Sequence, residues 1–341
     1  IARLGAQAFQ TPMWDFNVQL ITLSRGNAAG QSADLLHSGE PGNWIRGVDV
    51  SEQRAAAEKS AVLLTDEVKS MEQGKQLGNP DARITFESQE SGSLLVEYAV
   101  CPRGLISGDG DKWTRFFWEV DISNRWRLLV GTTEATTHFS GQQKVIDWVT
   151  GGDGMLRPGK DNVALGYRGV NVSLMNSLAV TLYSGAFYDQ TTASITPKNP
   201  THVPALYAYV SCQIYSENIR SLDQKLNVTP ATLIKVPFDL DYWTKVAEEQ
   251  FPNGLPQPYS NDPTQWIFNG HPCGSVIWDE QTKWTAHDAL RVDDSVLQVA
   301  VARLLGYRWP AELDPEMELA TEQREWVQRC QQLDAYADDD G

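Results

Sequence analysis

Few of the residues that could do chemistry stand at the spacings that chemistry needs. The five histidines, His37, His138, His202, His271 and His287, are far apart, and no H-x-x-x-H occurs. No metal site is expected from them. Of the four cysteines, Cys101, Cys212, Cys273 and Cys330, none forms a C-x-x-C pair, and only Cys273 lies near a histidine, His271. Scattered thiols of this kind read as buried, inert side chains in a reducing cytoplasm. The string Gly108-Asp109-Gly110 lacks the third glycine of a dinucleotide loop and follows another loop instead of a strand. A P-loop and a G-x-S-x-G elbow are both missing. Pro80-Asp81 and Pro263-Thr264 do not continue into a P-D-x-(D/E)-x-K nuclease motif. Carboxylates are plentiful, but no pair stands in an apolar setting. Bare chemistry therefore yields no catalytic constellation.

Charge is more informative than any motif. The formal net charge of −16 argues at first sight against a nucleic-acid partner. It is unevenly spread. Residues 286–341 hold 5 basic and 13 acidic side chains, a net of −8. Residues 142–235 hold 8 basic and 6 acidic ones, a net of +2. Because binding of a polyanion depends on the local footprint, a DNA-facing surface is expected in the middle of the chain. The acidic end, Asp338-Asp339-Asp340, reads either as a solvated tail or as a DNA mimic that holds a groove closed.

The elements that must position these charges follow from pattern. The 341 residues suggest two or three domains, and 41% hydrophobic with 21% charged residues is ordinary for a soluble globular protein. No apolar run approaches the ~18 residues of a membrane span. Ile1-Ala2-Arg3 resembles neither a start nor a secretory signal, so the chain reads as beginning inside a larger protein. A strand is expected over Val18–Leu23, then a polar, Gly-rich stretch to about Gly47. Ser51 stands in a capping position before a helix through Ala55–Lys59, continuing with a break to Leu77. Leu94–Val100 and Trp113–Val120 read as strands around a Gly/Asp-rich loop, and Val170–Leu174 and Ala179–Tyr183 as two more. Pro204–Leu226 reads as one helix, Thr232–Val236 as a strand and Asp241–Gln250 as a short helix. A Pro/Asn/Gly-rich connection follows to about Gly274, and the last 55 or so residues read as helical. The class expected is mixed α+β.

Three blocks of sequence resemble a large family of bacterial adenine-N6 DNA methyltransferases, those related to type IIG restriction–modification enzymes and to the BREX and DISARM phage-defence systems. The blocks are Met175–Gly185, then Ile219–Thr229 leading into Thr232–Asp239 with Tyr242-Trp243, and Leu304–Pro310. The loop Gly104–Asp109, with Trp113, Arg115, Phe116, Trp118 and Glu119, resembles the passage from methyltransferase to target-recognition domain in that family. The resemblance implies the end of a Rossmann-like methyltransferase domain with connecting helices over 1–80 and a β-rich target-recognition domain over 81–250. It further implies a linker over 251–285 and an acidic helical segment over 286–341. It implies S-adenosyl-L-methionine as cofactor and no metal. The partners it implies are double-stranded DNA, a methyltransferase domain ahead of Ile1 and other phage-defence proteins, in the bacterial cytoplasm and with no membrane.

The family's flipped adenine is held by Asn/Asp-Pro-Pro-Tyr/Phe. Asn79-Pro80-Asp81, Asn199-Pro200-Thr201, Asp262-Pro263-Thr264 and Asp314-Pro315-Glu316 are the closest strings here, and none has the second proline. The Gly-rich cofactor motif is missing too, so no residue of this chain is expected to be catalytic. As DNA contacts the candidates are Arg157, Lys160 and Arg168 around a Gly-rich loop, and Lys198 and Asn199 in a Pro-bounded loop. Arg220, Gln224, Lys225 and Asn227, at a helix end, complete the set. Each has a plainer reading. The loop residues serve equally as solvated turns, and the helix-end cations as partners of the helix dipole. Two other functions stay open: a protein-interaction module with no DNA binding of its own, and part of a restriction enzyme.

Overall fold

The computed structural model describes residues 1–5, 7–9, 18–23, 43–79, 84–86, 93–120, 125–223, 225–258, 281, 294–306 and 308–332. The class is mixed α+β. The chain divides into two compact units. One comprises residues 1–95 with 217–228 and 235–239; the other comprises 96–216 with 229–234 and 240–341.

In the first unit β1 (Ala2–Gly5) lies between antiparallel β2 (Val18–Leu20) and parallel β3 (Trp44–Asp49), and β4 (Lys69–Glu72) closes the sheet antiparallel to β3. Gly47 is required within β3 because the Phe86 ring lies on it: a Cβ there would come 2.0 Å from the ring. Leu4, Val48 and Val50 form the core with Val62 and Leu63 of helix α1 (Ala56–Thr65). Lys59 is the unusual member. It is 2% exposed. Its ammonium donates to the carbonyls of Leu4 at 2.7 Å, Val50 at 3.2 Å and Ser51 at 3.3 Å, at the carboxyl ends of the two parallel strands. Burial lowers its pKa against the opposing pull of Asp49.

The second unit holds two sheets. The first has the order β10-β9-β12-β5, from β5 (Ala99–Val100), β9 (Gly169–Ser173), β10 (Val180–Tyr183) and β12 (Thr192–Pro197). Every residue of β9, β10 and β12 is buried. Helix α4 (Val203–Val210) packs against β9 and β12. Residues 137–138 hydrogen-bond along β10, with Thr137 N to Val180 O at 3.1 Å and Leu182 N to His138 O at 2.9 Å, which covers that edge. The second sheet has the order β11-β7-β8-β6, from β6 (Thr114–Phe116), β7 (Trp126–Val130), β8 (Lys144–Asp147) and β11 (Phe187–Tyr188). Alternation along β8 sends adjacent residues to opposite faces. Ile146 joins Leu105, Trp113, Leu129 and Met155, beneath a glycine-rich loop. Val145 joins Phe117 and Trp118 with Val299, Ala302, Trp309, Ala311 and Val327 of the C-terminal helices.

Several expected elements take other forms. The helix expected through Leu77 ends at Thr65, because residues 69–72 are taken as β4 by the ladder to β3; a 3-10 turn, Gly74–Gly78, follows. Ser51 caps no helix; its hydroxyl donates to Asp49 at 2.5 Å, and the helix begins at Ala56. Leu94–Val100 is strand only at β5; Leu95–Tyr98 makes one helical turn, α2. Trp113–Val120 is broken. A helical turn α3 (Gly110–Trp113), capped by Asp109, precedes β6, and a 3-10 turn, Phe117–Glu119, ends it. The single helix expected over 204–226 is two, α4 and α5 (Gln213–Leu222). Tyr209 and Tyr215 pack edge to face at 5.2 Å. In a continuous helix, six residues would separate them by about 120° around the axis and about 9 Å along it. Residues expected as a strand near Ile234 form a helical turn instead, α6 (Pro230–Leu233), which Pro230 opens at its first position. Helix α7 spans Leu240–Gln250. The helical C-terminal segment contains α8 (Asp294–Leu304), α9 (Pro310–Leu313) and α10 (Thr321–Gln332). Cys273, Asp338, Asp339 and Asp340 lie outside the described residues. No described helix is long and apolar enough to cross a membrane.

Candidate nucleic-acid interface

The loop from Trp148 to Arg168 is a built object. Five of its glycines, Gly151, Gly152, Gly154, Gly159 and Gly166, have φ between 61° and 96°, where other residues are strained. At its start the Arg125 guanidinium donates to the Asp147 carboxylate at 2.6 Å. This bond holds the Asp147 carboxyl below its ordinary pKa, and the same carboxylate accepts from Val149 N at 3.1 Å. In its middle Arg157 and Ile106 exchange backbone hydrogen bonds at 2.9 and 2.7 Å. Further on, the Asn162 amide donates to Arg103 O at 3.2 Å and to the Tyr188 hydroxyl at 2.9 Å, while Tyr188 donates to Pro102 O at 3.1 Å. Gly166 N closes the loop on Gly185 O at 2.9 Å.

Within this loop the three expected cations have different jobs. Arg157 is half-buried, and its guanidinium donates to the buried carbonyl of Gly104 at 2.9 Å. It staples the loop to the segment beneath. Lys160 is exposed and pairs with Asp153 at 2.8 Å. Arg168 is exposed and pairs with Glu318. Leu156, Val163 and Tyr167 of the same loop are also exposed.

Lys198 and Asn199 leave β12 together. The Lys198 ammonium donates to Val96 O at 3.0 Å and Glu97 O at 2.9 Å, so it satisfies the end of α2. The Asn199 side chain accepts from Thr201 N at 3.1 Å and caps the 3-10 turn that leads into α4. In the first unit, Arg220 donates to the carbonyl of Lys225 and so closes the loop after α5. Desolvation lowers the Arg220 pKa. Lys225 N donates to Asp223 at 3.0 Å. The side chains of Lys225 and Asn227 face solvent, and neither has a hydrogen-bond or ionic partner among the described residues. Gln224 lies outside the described residues.

The structure thus brings Arg157, Lys160 and Arg168 onto one loop, Lys198 and Asn199 onto one strand end, and Arg220, Lys225 and Asn227 onto one turn of the first unit. Arg157 and Arg220 each give one guanidinium N–H to a backbone carbonyl, and Lys198 gives its ammonium to two. Lys160, Arg168, Lys225 and Asn227 carry their donors at the surface. Sequence reading missed Asn162 and Tyr188, the staples of the loop, and Glu318, which lies 150 residues from Arg168. No local signal marks such partners, because each acts across a long sequence separation.

S-adenosyl-L-methionine does not fit the residues described. In an open parallel sheet a nucleotide-like cofactor lies at the carboxyl ends of the strands, on a Gly-rich turn. Here those ends, at Leu4 and Val50, are filled by the Lys59 ammonium. Among the described residues no group of His, Cys, Asp and Glu could hold a metal ion. A scan against protein-family models finds no match, and no curated protein matches the chain.

Proposed function

We propose that this chain is the DNA-reading part of an S-adenosyl-L-methionine-dependent DNA adenine-N6 methyltransferase of a bacterial restriction–modification or phage-defence system. Its role is to hold duplex DNA while residues other than these bind the cofactor and the flipped adenine. The observation that carries this reading is the glycine-rich loop 148–168, tied down by hydrogen bonds from Arg157, Asn162 and Gly166. It lies in the mildly basic stretch 142–235 of an otherwise acidic chain, and it carries Lys160 and Arg168 at its surface. Recognition is commonly placed on loops held by a stiff scaffold, and phosphate contacts from Arg and Lys position a protein on duplex DNA. In the finer version of this reading, the first unit contains the tail of a Rossmann-like methyltransferase domain and the second the target-recognition domain.

The test is duplex binding as a function of salt. Affinity falling steeply as salt rises, with a slope of about −0.9 for each phosphate neutralised, is the expected result. Absence of binding at low salt, even with the chain joined to a methyltransferase domain of the same family, overturns the proposal.

A second reading, a protein-interaction module, is favoured by one observation. Leu297, Val301 and Leu304 follow one another at helical spacing on α8 and are all exposed. Such a stripe is unusual on a surface that meets only water. Binding of this chain to another protein without any salt-dependent DNA affinity would select that reading.

A further inference from the structure

We propose that Glu318 is an internal competitor for Arg168, an autoinhibitory contact by which the acidic C-terminal segment occupies a cation that duplex phosphate would otherwise take. The proposal rests on the DNA-reading function above. Arg168 ends the glycine-rich loop and is held there from both sides. Gly166 N bonds to Gly185 O at 2.9 Å, and Gly169 begins the buried strand β9. Glu318 is held as firmly. It lies between α9 and α10, whose Ala311 and Val327 are in the core. Met317 N bonds to Asp314 O at 3.2 Å, and Ala320 N bonds to Pro258 O at 2.8 Å. Two anchored backbones therefore bring a guanidinium and a carboxylate together across the surface.

The chemistry makes the contact exchangeable. A carboxylate and a phosphate offer the same kind of anionic oxygen to a guanidinium, and both are bound in paired fashion by Arg. The Arg168 side chain is 55% exposed and that of Glu318 64%. An ion pair this open to water is weak and is screened by salt, so a polyanion can displace it. Glu318 also has company. Together with Asp314 it lines the edge of a cleft of about 900 Å³, with Trp126, Phe187 and Met317 among the other walls. The segment 286–341 to which both acids belong carries a net −8. DNA approaching Arg168 must therefore meet an acidic lip as well as an occupied cation.

The experiment uses the full chain and a fluorescein-labelled, mixed-sequence duplex as probe, with affinity followed by anisotropy across a salt series. Glu318→Gln is expected to raise affinity about 2- to 5-fold at low salt, the range that an exposed ion pair spans. It is also expected to steepen the slope of log K against log salt by about 0.9, one further phosphate contact. In the Arg168→Gln background the same change is expected to have no effect. Glu316→Gln, on the same segment, is the control for net charge. The competitor model is overturned by three results: no gain from Glu318→Gln, an equal gain from Glu316→Gln, or a gain that survives Arg168→Gln. If the wild-type chain binds the duplex and any of these follows, the competitor model alone falls. If no variant binds, the DNA-reading function falls with it.

Discussion

The loop 148–168 and the end of helix α5 with the residues just after it both carry cations flanked by glycine or polar residues, yet they use them differently. In the loop, one cation of three faces inward: Arg157 holds the Gly104 carbonyl, and Asn162 and Tyr188 add further staples. At the helix end, Arg220 of α5 donates to the Lys225 carbonyl, and Lys225 and Asn227 are left facing solvent. Of the six basic residues, Arg157, Lys198 and Arg220 thus give donors to carbonyls of the fold, while Lys160, Arg168 and Lys225 carry theirs at the surface. The acceptor separates the two cases. A carbonyl within the fold marks the frame, while an exposed carboxylate or solvent marks a group that phosphate can engage.

That contrast can be broken from several sides. The largest effect is expected where the loop rests on the core. Ile146→Ala removes buried volume beneath the loop and should cost about 2–5 kcal/mol in urea denaturation. A loss below about 1 kcal/mol would mean that the loop is not supported from below. Next comes the frame cation. Arg157→Leu leaves the buried Gly104 carbonyl without its donor and should cost about 1–3 kcal/mol. Its DNA affinity should fall only with folding, whereas a lower salt slope in a folded variant would make Arg157 a phosphate contact.

Alkaline pH should separate the two units. In the second, burial raises the pKa of Tyr207 to about 12 and pushes Tyr183, Tyr188 and Tyr215 up as well. These phenols stay neutral in the fold but ionise when it opens. Their stabilisation is present below pH 10 and is lost as pH rises beyond it. In the first unit the folded pKa of Lys59 lies below its ordinary 10.5. The unfolded chain holds that proton more tightly, so the Lys59 contribution rises with pH up to 10.5. Hydrogen exchange at pH 9 and 11 should show the protection around β9 and β12 falling more than that around β1 and β3. Equal loss in both would contradict it. The smallest effect belongs to the exposed turn. Lys225→Gln should change stability by no more than about 0.5 kcal/mol and reduce the salt slope of duplex binding by about 0.9. A thermal shift without a change in slope would return Lys225 to the frame.

The sequence by itself determined the mixed class, the strands near Val170–Ser173 and Val180–Tyr183, helix Leu240–Gln250 and the division into basic middle and acidic end. Each of these depends on local period or on composition, which a chain carries without its fold. The tertiary structure decided the rest. β4 replaced an expected helix because β3 offered it a ladder. The 204–226 helix broke so that Tyr209 and Tyr215 could meet. Arg157, Arg220 and Lys198 became frame residues because backbone carbonyls, in two cases distant in sequence, came within reach of their donors. Glu318 came to face Arg168 only through packing of the C-terminal helices on β8. A long cationic side chain has the same sequence signature whether it binds its own backbone or a foreign phosphate. Only the acceptor that the fold places beside it tells the two apart.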